Sequence, residues 1–213
     1  MSMMKVAGIL VLVVVMLAGC QSTPTNFFYL EPLSPPLGQA GDTGTGHRDI
    51  RLSVEEVGIP RYLDRPDIVS QRSGTSLNVS EGNQWAEPLK DGIARVVQGD
   101  LAHLLADRRV MVLPARFTDA DAELYVEVSR FEVTPAGEAV VEAQWRIVRT
   151  SDGAEVVVQR SEHRQPVAGQ DYPAITTALN EALHGVSRDI AAATKQQIDR
   201  RAISRSPGRS ARR

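Results

Sequence analysis

Ala139-Val-Val-Glu-Ala-Gln-Trp-Arg-Ile147 is the stretch that decides the fold. Ala139, Val141, Ala143, Trp145 and Ile147 alternate with their neighbours, the period-two pattern of a strand with one buried face. Ser151-Asp152-Gly153 then signals a turn, and Glu155 to Gln165 reads as the return strand of a hairpin. On the other side, Leu124, Val126 and Val128 alternate in the same way before the phase slips to Phe131 and Val133. A one-residue slip of this kind predicts a β-bulge near Ser129-Arg130. Val110-Met-Val-Leu-Pro114 is a further strand, ended by its proline.

Two helices frame these strands. Leu89, Ile93, Val96, Val97, Leu101, Leu104 and Leu105 recur at three- and four-residue spacing, one apolar stripe on a helix. Pro88 stands before it, where a missing N–H costs nothing. A second helix follows Asp171-Tyr172-Pro173, with Ile175, Leu179, Ala182, Leu183, Val186 and Ile190 on one face. Further upstream, Arg51 to Val57 alternates like a strand, and Asp67–Arg72 and Ser76–Ser80 make a hairpin around Ser73-Gly74. The order strands, helix, strands, helix predicts an α+β domain: a mostly antiparallel sheet with two long helices packed on one face.

The N-terminal end carries an address. After Met1-Ser-Met-Met-Lys5, the run from Val6 to Ala18 is almost wholly apolar. At about 13 residues it is shorter than the roughly 20 that span a bilayer, so it reads as a signal-peptide core. It ends in Leu17-Ala18-Gly19-Cys20, which resembles the lipobox of bacterial lipoproteins, with Cys20 the sole cysteine of the chain. Residues 1–19 are accordingly expected to be removed and Cys20 to carry the lipid. Gln21 stands where an aspartate commonly retains lipoproteins at the inner membrane, so the lipobox resemblance implies anchoring at the periplasmic face of the outer membrane. Residues 20–49 read as tether and linker around a short aromatic strand at Phe27-Phe28-Tyr29-Leu30. Residues 50–200 form the periplasmic domain, and the arginine-rich 201–213 reads as a basic disordered tail.

Composition narrows the function classes. The 213 residues carry 24 basic and 26 acidic side chains, a net charge of −2 that argues against a nucleic-acid binder. A single cysteine excludes an internal disulfide and a Cys-based zinc site. No nucleophile elbow, zinc helix or Walker loop occurs, and the glycines at 38, 41, 44 and 46 follow no strand and open no helix. His103 and His184 stand on helices with no carboxylate at ligand spacing, and Glu162-His163 reads as a solvated pair. The expectation is a protein without catalytic or metal site, whose only added group is the lipid on Cys20.

Ile59-Pro-Arg-Tyr-Leu-Asp-Arg-Pro-Asp-Ile-Val69 is the unusual local feature. Two prolines stiffen it and hold Tyr62, Asp64, Arg65 and Asp67 on a rigid loop. Either Arg65 locks the turn by pairing with Asp64 or Asp67, or the loop offers Tyr62 and Arg65, residue types enriched at interface hot spots. Trp85 poses the same choice, core anchor over the helix start or interface anchor, and core packing is preferred.

Pro60 to Val69, followed by Trp85-Ala-Glu-Pro-Leu89 and a helix, resembles the PqiC-type (YmbA-type) ABC-transport auxiliary lipoproteins, as does the aromatic strand after the cysteine. The resemblance covers about residues 17–200. It implies an outer-membrane lipoprotein working beside a mammalian-cell-entry (MCE) domain protein and an inner-membrane component in lipid movement between membranes. Because such partners form rings, it also implies a homo-oligomeric ring. Two other readings stand beside it: a lipoprotein activator or scaffold of another periplasmic envelope enzyme, and a lipid-carrying domain, which needs an apolar cavity.

Overall fold

In the computed structural model of the chain, residues 24–33, 50–106, 110–115 and 119–205 are described, without the side chains of 200–205. Cys20, the signal segment, the linker from 34 to 49 and the tail beyond 205 lie outside the described residues. Ten elements follow in order: β1 (Asn26–Phe28), β2 (Ile50–Gly58), β3 (Asp67–Ser73), β4 (Ser76–Trp85), α1 (Leu89–Leu104), β5 (Val110–Pro114), β6 (Ala122–Val133), β7 (Glu138–Arg149), β8 (Glu155–Pro166) and α2 (Tyr172–Arg205). The α+β class is as the pattern predicts. The last helix runs to Arg205, so the first residues of the expected tail are helical.

Five strands make the main sheet in the order β5-β2-β6-β7-β8. β6, β7 and β8 form the antiparallel meander, with a register shift between Val128 and Arg130 at the predicted bulge. β2 lies parallel to both β5 and β6, with a second irregularity between Val54 and Val57. That parallel centre, and a separate three-stranded sheet in the order β1-β4-β3, go beyond the sequence reading.

α1 packs over β2 and β5, α2 over β7 and β8, and the two helices touch each other. Between them and the sheet lies the core. Ile93, Val96, Val97 and Leu101 of α1, Leu179, Ala182, Leu183, Val186 and Ile190 of α2, and Leu124, Val126, Trp145 and Ile147 of the sheet are all buried. Burying a residue such as leucine or valine is worth about 1.5–3 kcal/mol, which makes this stripe-on-sheet contact the main stabilising term. The Trp145 indole N–H donates to Ser161 Oγ at 3.0 Å, so the largest core side chain leaves no polar atom unpaired. The small sheet joins at one end, where Trp85 meets Phe131 edge-on with centroids 6.0 Å apart.

Candidate functional site

The N-terminal arm is tied to β4 and to both helices. β1 pairs in parallel with the end of β4, and the Ala86 N–H donates to the Phe28 carbonyl at 2.7 Å. Beyond β1, side chains from both helices grip the arm's backbone. Arg95 Nη2 donates to the Leu30 carbonyl at 2.8 Å. Asn180 takes both sides of Glu31, accepting its N–H at 3.1 Å and donating to its carbonyl at 3.0 Å. Asp100 Oδ1 accepts the Leu33 N–H at 2.7 Å. Its other oxygen, Oδ2, lies 2.8 Å from His184 Nδ1. The Asn180 amide nitrogen sits 3.0 Å from His184 Nε2, an arrangement satisfied when Nε2 accepts and Nδ1 carries the ring proton toward Asp100.

That network corrects the reading of His184 as a histidine with no carboxylate partner. Asp100 and His184 are both buried. The signal was present in the sequence: Asp100 occupies the same helical face as Val96, Val97, Leu101 and Leu104, an acid inside an apolar stripe. Gly99 completes the seat, since a Cβ there would lie 2.6 Å from the Pro32 side chain.

The proline-rich loop closes through its backbone. The N–H groups of Leu63, Asp64 and Arg65 donate to the carbonyls of Pro60, Arg61 and Leu63 at 2.9, 3.2 and 2.8 Å, and Trp85 N–H donates to Pro66 at 2.7 Å. Asp67 accepts from Gln84 Nε2 at 2.9 Å instead of pairing with Arg65. Tyr62 is half-buried with its hydroxyl 3.4 Å from Glu132 Oε2. Burial first, and then the Glu132 charge, push its phenol up to about 12. Asp64 and Arg65 are exposed, while Trp85 is only 6% exposed, the core anchor of the two readings. Asp64, Arg65 and Pro66 share an open cleft of about 340 Å³ with Trp85, Pro88 and Leu89. Tyr62 is outside that group. The structure thus brings Asp64, Arg65 and Trp85 together and turns Tyr62 and Asp67 to other contacts.

The sheet face away from the helices is a lattice of charge. Arg164 contacts Glu162 and Glu138, Arg160 contacts Glu142, and Arg146 lies 4.7 Å over the Tyr125 ring. The Arg164 guanidinium holds the Glu162 carboxyl below its usual range. Glu162 and His163 therefore do not form the expected pair: His163 reaches Asp189 of α2 at 2.8 Å. Adjacent strand residues face opposite sides of a sheet, which separates them. Among the described residues, no three His, Cys, Asp or Glu side chains gather as metal ligands, and no helix is long and apolar enough to cross a membrane.

The family of ABC-type transport auxiliary lipoprotein components matches residues 32–191, from the last residues of the arm through most of α2. The chain belongs to that family. This auxiliary lipoprotein is 28% identical over 185 residues to the intermembrane transport lipoprotein PqiC of Escherichia coli (strain K12), an alignment spanning 86% of this chain and 92% of the relative. The PqiC protein of Shigella flexneri matches to the same extent. Among solved structures, one of Xanthomonas campestris superposes with a TM-score of 0.66 at 20% identity, over 82% of this chain and 99% of its own. A second, uncharacterised protein gives 0.67 at 19% identity, over 80% and 98%. At those identities the two structures speak for the fold alone. The auxiliary lipoprotein accordingly serves transport as an accessory component, and the proline-rich loop lies within the matched residues.

Proposed function

We propose that this auxiliary lipoprotein is a non-catalytic subunit of an MCE-type intermembrane lipid transport system, anchored to the outer membrane through lipidated Cys20. Its task is to dock a periplasmic MCE-domain protein, which an inner-membrane component meets at its far side, and to seat that conduit at the membrane. The observation that carries this reading is the arm: a segment beginning a few residues after Cys20 is locked to both helices by Arg95, Asp100 and Asn180. An anchor joined to a rigid arm transmits position, which is what a seat needs and a freely tethered enzyme does not. The clefts support docking over carriage. Two of those among the described residues are open and lined by charged residues such as Glu127, Glu142 and Arg160, or Glu55, Lys90 and Arg95. A carrier needs an enclosed apolar cavity.

Asp64 and Arg65, exposed beside the Trp85 cleft, are the side chains offered to the partner. A ring of copies around the conduit axis is the arrangement that presents this surface symmetrically. Co-purification with an MCE-domain protein of the same cell tests the reading. Asp64→Ala with Arg65→Ala should abolish capture while leaving the melting temperature unchanged, and Cys20→Ser should fold but leave the membrane fraction. A double variant that still captures its partner in full would remove the loop from the interface. A Cys20→Ser protein that resists high-salt washing would remove the anchor. Mass photometry of the lipid-free domain with its partner reads the ring directly.

A further inference from the structure

Phe27 and Tyr29 are 64% and 59% exposed, and they are the two aromatic residues among the exposed large hydrophobics of the described chain. Strand alternation sets them on one side of the arm, while Phe28 between them turns inward and its ring tilts against Tyr172 at 6.2 Å. An isolated exposed aromatic needs no explanation, but a pair on one side of a clamped segment does. The clamp follows at once: Leu30, Glu31 and Leu33 are held by Arg95, Asn180 and Asp100. The pair is therefore presented at a fixed position on the domain.

We propose that Phe27 and Tyr29 insert into the lipid surface that holds Cys20, so that the domain is seated on the membrane by its arm. This rests on lipidation of Cys20. Phe27 is seven residues from Cys20, a span of at most about 25 Å, so the pair cannot leave the neighbourhood of the bilayer while the arm is docked. Tyr29 has the chemistry of an interfacial residue: its ring is apolar, and its hydroxyl donates to Glu31 Oε1 at 2.6 Å, keeping the polar end toward water. Glu31 and Glu181 border the same cleft as the two rings. Their charge favours a zwitterionic lipid surface over a strongly anionic one, and makes the contact one of aromatic insertion instead of basic attraction.

The test uses the full-length lipoprotein, matured in cells and carrying Phe27→Trp, in phosphatidylethanolamine–phosphatidylcholine vesicles with brominated acyl chains. The native Trp85 and Trp145 are buried and stay silent to both membrane and aqueous quenchers. Insertion predicts blue-shifted emission from position 27, severalfold quenching by the bromolipid and protection from iodide. Emission that is open to iodide and blind to bromolipid, in protein that floats with the vesicles, overturns the proposal. That result leaves the pair to a partner chain or a second copy. Should the matured protein fail to float, the anchor reading fails separately. Coupling Cys20, the sole thiol, to a maleimide lipid then restores the tether, and the same two quenchers decide the insertion. Phe27→Ser with Tyr29→Ser in the coupled protein should raise protease cleavage within the arm severalfold on vesicles and leave it unchanged in solution.

Discussion

Asp100 and His184 stand 84 residues apart in the chain and meet at 2.8 Å inside the protein, with side chains 0% and 5% exposed. The carboxylate has a second duty, since its other oxygen holds the Leu33 N–H. Removing it strands a buried donor, His184 Nδ1, and a part-buried one, the Leu33 N–H. Asp100→Ala should lower unfolding stability by about 2–5 kcal/mol, read from the urea midpoint. Asp100→Leu combined with His184→Leu should recover part of that loss, because the imidazole is no longer left buried without its partner, while the Leu33 N–H still lacks its acceptor. Equal stability of wild type and Asp100→Ala would show the pair to be idle.

The seat on α1 allows a cleaner probe of the arm. Gly99→Ala places a Cβ where Pro32 now lies, 2.6 Å away, yet it should gain about 1 kcal/mol of helix propensity. Hydrogen exchange should therefore speed up at residues 26–33 while α1 itself stays protected. Asn180→Ala removes both contacts to Glu31 and should loosen the same amides without touching the helix. Unchanged exchange in the arm of both variants would mean that β1 alone holds it.

Gly185 tests the other helix. A Cβ there would sit 2.4 Å from the His163 ring, which is hydrogen-bonded to Asp189. Glycine to alanine within a helix normally stabilises by about 1 kcal/mol, so a net loss for Gly185→Ala would be diagnostic of that clash. The double variant with His163→Ala should regain the ordinary helix benefit. A stabilised single variant would show that the ring moves aside freely.

Tyr62 gives a pH dependence with a definite sign. Its phenol is raised from 10.0 to about 12 in the folded protein, so the folded state keeps a proton that the unfolded state releases first. The resulting stability is fully present below pH 10 and is lost as pH rises toward 12. Tyr62→Phe should flatten that part of the stability curve, and ultraviolet phenolate titration should show one late tyrosine missing. A variant with the same alkaline slope as wild type would place the titration elsewhere.

The meander was legible because each of its strands buries one face, so register and even the bulge appear as the phase of apolar residues along the chain. β2 was legible as a strand, but its neighbours were not. Alternation records which face is buried and says nothing about whether β5 and β6 run parallel to it. The arm contacts were hidden for a related reason: helical periodicity assigns Asp100 and Asn180 to faces, while their partnership with Leu33 and Glu31 arises only when both helices lie on one sheet. The proline-rich loop was read as rigid; its backbone closes on itself, but the Tyr62 hydroxyl meets Glu132, 70 residues away, which no local pattern records.

The groups that hold the arm stand at positions 85, 86, 95, 100 and 180, whereas the arm itself occupies 26–33. During synthesis the first part of the domain to emerge is thus the last that can be completed. β1 has no neighbour until β4 arrives, and Glu31 has no partner until α2 does, near the far end of the chain. For all that time residues 26–33 have nothing folded to close upon. The latch closes only once the C-terminal helix has docked.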